Sequence, residues 1–135
     1  MIVVDTNIIA HTWLPSEIKE KIQTLIRIDH DWIAPILWRS EFRSVLSKYI
    51  RKGLLSEIKA NELAELAEEQ MTNREYNVPT KEIISIIKNS KLSAYDSEFV
   101  ALSKIRKIKM VTLDKEISKE FPLIVFTLED FIKNN

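Results

Sequence analysis

The tightest constraint on this chain is the way its short uncharged β-branched runs end in a carboxylate. Ile2-Val3-Val4 stops at Asp5, and Met110-Val111-Thr112-Leu113 stops at Asp114. An apolar run without polar alternation reads as a strand buried on both faces, the habit of parallel sheets covered by helices. In open α/β sheets, ligands bind outside the carboxyl ends of the strands. Asp5 and Asp114 both fall at such ends.

Between these runs, helical and strand signals alternate. Ser16 is placed to cap a helix carrying Ile18, Ile22, Leu25, Ile26 and Ile28. Asp31 to Pro35 reads as a strand stopped by proline. A helix is expected from about Ile36 to Lys52, ended by Gly53, and a third from Ser56 to Gln70 with Ile58, Leu63, Leu66 and Ala67 as its apolar side. A weak strand near Glu75 to Val78 follows. Thr80 is read as the cap of a helix carrying Ile83, Ile84, Ile86 and Ile87, and Ser93 as the cap of one running to Arg106. Beyond Asp114 come a short helix, a strand over Leu123 to Phe126, and a closing helical turn or two. At 135 residues the pattern predicts one α/β domain spanning residues 1–135, with a mainly parallel sheet covered on both faces.

Composition narrows the chemistry. There is no Cys, which removes disulfides and thiolate metal sites, and one Gly with four Pro leaves little room for long loops. Lys plus Arg and Asp plus Glu are 20 each, without the basic excess of a dedicated duplex binder. Two local basic clusters, Lys104-Arg106-Lys107-Lys109 and Lys48-Arg51-Lys52, fit either solvated helix ends or nucleic-acid contacts. No basic segment precedes the first apolar run, and no uncharged run approaches bilayer length, so a cytoplasmic setting is expected.

Four acids stand out, each with an ordinary alternative. Asp5 fits an Asx turn or helix cap as well as a ligand site, and Asp114 fits the N-cap of the helix after it. Glu41 shares a helical face with Leu37 and Val45. An ionised carboxylate among apolar side chains costs several kcal/mol unless it is paired or bound to a cation, so a salt bridge or an ion is required. Asp96 completes a capping box with Ser93, yet it also lies on the side of Phe99 and Val100. Together, the four acids would repel one another, and a hard divalent cation would relieve that conflict. Oxygen-only donors point to Mg²⁺ or Mn²⁺, and such clusters suit phosphodiester hydrolysis by cation-activated water.

The segments Val3-Val4-Asp5-Thr6-Asn7, Ser40-Glu41-Phe42, Tyr95-Asp96-Ser97 and Val111-Thr112-Leu113-Asp114-Lys115 resemble, in order and spacing, the four acidic motifs of PIN-domain nucleases, and within them the VapC-like toxins of toxin–antitoxin pairs. The resemblance covers essentially the whole chain. It implies a five-stranded sheet of order 3-2-1-4-5 and metal-dependent endonucleolytic cleavage of RNA. It further implies frequent homodimers and inhibition by a cognate antitoxin. It assigns Asp5, Glu41 and Asp96 as metal ligands and catalytic residues, Asp114 as the acid completing the set, and Asn7 and Thr112 as groups orienting them. One departure is Lys107-Ile108-Lys109, where relatives often carry a glycine before the last strand.

Other readings remain. An RNA-processing nuclease without an antitoxin has the same motifs, whereas a PIN-like fold kept only as a binding module would be favoured by the loss of one or more acids, and all four are present. A haloacid-dehalogenase-type phosphoryl-transfer domain wants a second acid two residues after Asp5, where this chain has Asn7. A receiver domain wants an acid pair at the first strand, which Val4-Asp5 does not supply. His11 and His30 belong to no acidic set, and Trp13, Trp32 and Trp38 suit core packing or base stacking. The helices over 16–29 and 36–70 offer apolar faces for an antitoxin or for the core.

Overall fold

Five strands align in parallel in one sheet, seen in a computed structural model that describes residues 1–135. They are β1 (Ile2–Val4), β2 (Trp32–Pro35), β3 (Glu75–Tyr76), β4 (Met110–Thr112) and β5 (Val125–Thr127), in the order β3-β2-β1-β4-β5. The register sets Val3 beside Ile33 on one side and Met110 on the other. β1 and β4 are fully buried, as their lack of polar alternation requires. Eight helices flank the sheet: α1 (Thr6–Trp13), α2 (Lys19–Ile28), α3 (Trp38–Arg51), α4 (Glu57–Gln70), α5 (Thr80–Lys88), α6 (Ala94–Arg106), α7 (Lys115–Glu120) and α8 (Leu128–Lys133). α6 packs along β1, β2 and β4, with α5 laid against it. One contiguous core joins the buried faces, and Trp32, Trp38 and Phe99 are among its largest members. Trp13 lies at the core edge and donates its indole N–H to Gln70.

Several elements differ from the sequence expectation, each for a local reason. α1 lies where the sequence places no helix, although Asp5 is read there as a possible cap. The Asp5 carboxylate accepts the Thr6 N–H at 2.8 Å and turns the chain straight into a helix. Ser16 accepts the Ile18 N–H in the turn before α2, whose first helical residue is Lys19. Pro79, rather than Thr80, is the N-cap of α5, and it makes no side-chain cap bond. On α4 the buried face is Ala60, Leu63 and Ala67, whereas Ile58 is 74% exposed and Leu66 also points outward. Ile58 is five residues from Leu63, which at 100° per residue places the two on different sides of the helix. On α5 only Ile86 is buried.

The edge strand β3 is very short and is tied down by polar side chains. Arg39 on α3 forms a two-pronged bond with Glu75, at 2.5 and 2.8 Å, and reaches Glu68 on α4 at 2.7 Å. The Trp38 indole donates to the same Glu75 carboxylate. At the end of α6, Lys107 adopts the left-handed conformation (φ 56°) that favours glycine. The neighbouring basic cluster packs on aromatic rings, Arg106 over Tyr76 at 4.8 Å and Lys109 over Phe126 at 5.1 Å. Lys109 precedes β4, so this cluster lies at the strand ends opposite those that carry Asp5 and Asp114.

Candidate active site

The carboxyl ends of β1 and β4 are neighbours because the two strands pair directly. Asp5 and Asp114 therefore emerge side by side, each as the N-cap of the helix that follows. The ordinary cap role and a place at the sheet mouth coexist in both residues. Glu41, near the start of α3, and Asp96, in the first turn of α6, come in from the flanking helices. All four acids line one solvent-open concavity with Thr6, Asn7, Ser44 and Val45. Val45 is its sole hydrophobic lining residue.

Hydrogen bonds to their carboxylates hold three of the acids in place. Asp5, 7% exposed, accepts the Thr112 hydroxyl at 2.7 Å on Oδ2 and the Thr6 N–H on Oδ1. Thr112 in turn accepts the Asp114 N–H at 3.0 Å, linking the ends of the two strands. The Thr6 hydroxyl donates to Glu41 Oε1 at 2.7 Å across 35 residues of sequence. Asp114 spends Oδ1 on the Glu116 N–H, and the Ser93 hydroxyl accepts the Asp96 N–H. Asn7 lines the concavity, exposed, and bonds none of the carboxylates. The buried Ser97 hydroxyl, next to Asp96 in sequence, has no partner in the protein.

Burial and mutual repulsion act on these acids together. Asp5 is pushed up to about 6 chiefly by burial, against the lowering effect of the Thr112 hydrogen bond, with Asp96 and then Glu41 adding repulsion. Glu41 is raised by burial first, and by the charges of Asp96 and Glu98. Asp96 is raised by burial and then by Asp114. Asp5, Glu41 and Asp96 thus each feel another acid of the set, the electrostatic signature of a site arranged for a positive charge.

The donor set fits a hard divalent ion, being all oxygen, anionic and partly desolvated. No three His, Asp or Glu side chains are arranged to hold an ion in their present conformation. Like-charged carboxylates spread when no positive charge lies between them.

Thr6 and Glu98 had not been singled out from sequence. Thr6 is visible only as the residue between Asp5 and Asn7. Glu98 lies two residues after Asp96, which on a helix turns it away from that acid; its influence on Glu41 comes from another element altogether.

A family model described as PIN domain matches residues 2–120. The chain belongs to the PIN domain family. Ribonuclease VapC3 of Pyrobaculum aerophilum is 29% identical to it over 127 residues, spanning 92% of this chain and 97% of that protein. Among solved structures, PAE2754 from Pyrobaculum aerophilum superposes with a TM-score of 0.75 at 15% identity, over 98% of this chain and 94% of that one. FitAcB from Neisseria gonorrhoeae superposes with a TM-score of 0.74 at 20% identity, over 96% and 99%. FitAB bound to an IR36 DNA fragment gives 0.73 at 19%, over 95% of each chain. These PIN-like structures share the fold, and the sheet order of this chain is the one its motifs implied. No helix is long and apolar enough to cross a membrane.

Proposed function

We propose that this PIN-domain chain is a Mg²⁺- or Mn²⁺-dependent endoribonuclease, and that it serves as the toxin of a toxin–antitoxin pair in the cytoplasm. The observation that carries the reading is the convergence of Asp5, Glu41, Asp96 and Asp114 on one open concavity, where burial and neighbouring acids raise the pKa values of Asp5, Glu41 and Asp96. The similarity to a ribonuclease along nearly the whole of both chains supports it.

Asp5, Glu41 and Asp96 would hold the ion, with Asp114 completing the set. A divalent cation supplies positive charge to the phosphate and lowers the pKa of water. The protein's own part is positional. Thr112 and the Thr6 N–H fix both oxygens of Asp5, and the Thr6 hydroxyl fixes Glu41, so the acids enter the reaction already oriented. Asn7 would orient the substrate or a carboxylate from the rim of the concavity. Its openness admits a polymer strand and suits cleavage within a chain.

The partners we assign are RNA as substrate, a cognate antitoxin as inhibitor and a second copy of the chain. Exposed Leu54 and Ile58, where α3 turns into α4, are the antitoxin contact we favour. The test is RNA cleavage with and without Mn²⁺ or Mg²⁺, beside Asp96→Asn, with calorimetry for ion binding. Metal-dependent cutting lost in the variant supports the reading. An absence of both cutting and ion binding would leave a binding module that keeps only the acidic pocket.

A further inference from the structure

A second concavity of different character adjoins the acidic one, and the two share Asn7 and Val45. Its remaining lining is apolar at Ala10, Leu14 and Pro15, with the polar-tipped rings of His11 and Tyr49. No Lys, Arg, Asp or Glu lines it. An anionic phosphate therefore finds no cation there, whereas a flat uncharged ring with polar edges finds both ring contact and hydrogen-bonding groups.

The pocket is built rather than incidental. His11 Nδ1 is 2.6 Å from Ser16 Oγ, and that oxygen is itself anchored by the Ile18 N–H at 3.1 Å. The Lys19 ammonium donates to the carbonyls of His11, Thr12 and Leu14, at 3.2, 2.7 and 3.1 Å, and so locks the end of α1 that forms one side of the pocket. Burial, and then the Lys19 charge, holds the His11 pKa below its ordinary value, so the imidazole faces the pocket's occupant as a neutral ring. The Tyr49 ring is half-buried, and Asn7 stands exposed on the boundary between the two concavities.

We propose that this second concavity seats the base of a nucleotide next to the scissile phosphate, with Tyr49 and His11 supplying ring contact and Asn7 reading the base edge. The inference rests on the nuclease reading, since it requires the phosphate to lie at the carboxylates. A phosphate there leaves its own nucleoside within reach of the adjoining pocket through Asn7 and Val45. Tyr49 and His11 are thus specificity-determining residues, and the site favours an unstacked base in single-stranded RNA.

The experiment offers a randomised single-stranded RNA pool to the protein in Mn²⁺ and sequences the product ends, for wild type, Tyr49→Ala, Tyr49→Phe and His11→Ala. Wild type should show a base preference beside the cut. Tyr49→Ala should flatten that preference and lower kcat/KM on the preferred sequence about tenfold, mainly through KM, as expected for loss of one base–aromatic stack. Tyr49→Phe should keep the preference, and His11→Ala should weaken it. Wild-type preference and rate in Tyr49→Ala and His11→Ala, with Asp5→Asn inactive, would overturn the subsite and leave the nuclease standing. A second readout needs no cleavage: in EDTA, RNA carrying 4-thiouridine should photo-crosslink to peptides containing His11 or Tyr49. Crosslinks elsewhere, or none, overturn the subsite. Crosslinks there on a protein that cuts no RNA would uphold base binding and count against the nuclease.

Discussion

Asp5→Asn should stabilise the metal-free protein above pH 6, even though it removes a proposed catalytic residue. A carboxyl with an ordinary value of 3.8 titrates at about 6 in the folded chain. The folded state therefore keeps its proton over a range in which the unfolded state has lost it, and wild-type stability falls as pH rises from about 4 to about 6. At about 1.4 kcal/mol per pH unit, ionisation costs the native state about 3 kcal/mol at neutral pH. Asparagine carries no charge and can still accept the Thr6 N–H. Its amide nitrogen must face Thr112, however, whose hydroxyl proton then loses the acceptor it has in wild type at 2.7 Å. Charging about 1 kcal/mol for that loss leaves a net gain of about 2 kcal/mol. For a chain of this length that is a rise of about 6 °C in Tm. The assay is thermal unfolding of both proteins in EDTA, from pH 4 to pH 7.5. The variant should start level with wild type or slightly below it, draw ahead between pH 4 and 6, and stay ahead. Millimolar Mn²⁺ should then raise the wild-type Tm and leave the variant's nearly unchanged. A variant that is no more stable at pH 7.5, or a gap that ignores pH, would refute the electrostatic account of Asp5.

Two further changes probe the scaffold. Glu75→Gln loses the charge that binds Arg39 and Trp38, and should lower stability by about 2 kcal/mol in urea unfolding at pH 7. Because the Arg39 hydrogen bond lowers the Glu75 pKa, this support is complete above the usual glutamate range and is lost as pH falls through the lowered value, so the gap between the two proteins should close in acid. Lys107→Gly relieves a left-handed residue at the end of α6 and should raise the urea midpoint by an amount worth about 0.5–1 kcal/mol; a lower midpoint would mean that the lysine side chain contributes more than its backbone costs.

What could be read from the chain alone was what depends on near neighbours. The strand ends at Asp5 and Asp114 and the cap at Ser93 follow from side chains acting within three or four residues of themselves. The four acids were legible only as a set, two ending strands and two on the inward sides of helices, since each alone also fits an ordinary cap or ion pair. Of α1 only the possible cap at Asp5 was legible; its β-branched residues carry little helical signal, and the burial of Ile8 and Ile9 supports the helix through tertiary packing. The outward faces of Ile58, Leu66 and Ile84 escaped because apolar spacing does not say which side of a helix meets its neighbours, and α4 packs on α1 and α3 while α5 packs on α6. The bond from Thr6 to Glu41, the repulsion between Glu98 and Glu41, and the pocket shared by Asn7, His11 and Tyr49 join residues distant in sequence. Only the pairing of β1 with β4, and the packing of α1, α3 and α6 around that pair, brings them together, because forces that act through space have no period along the chain.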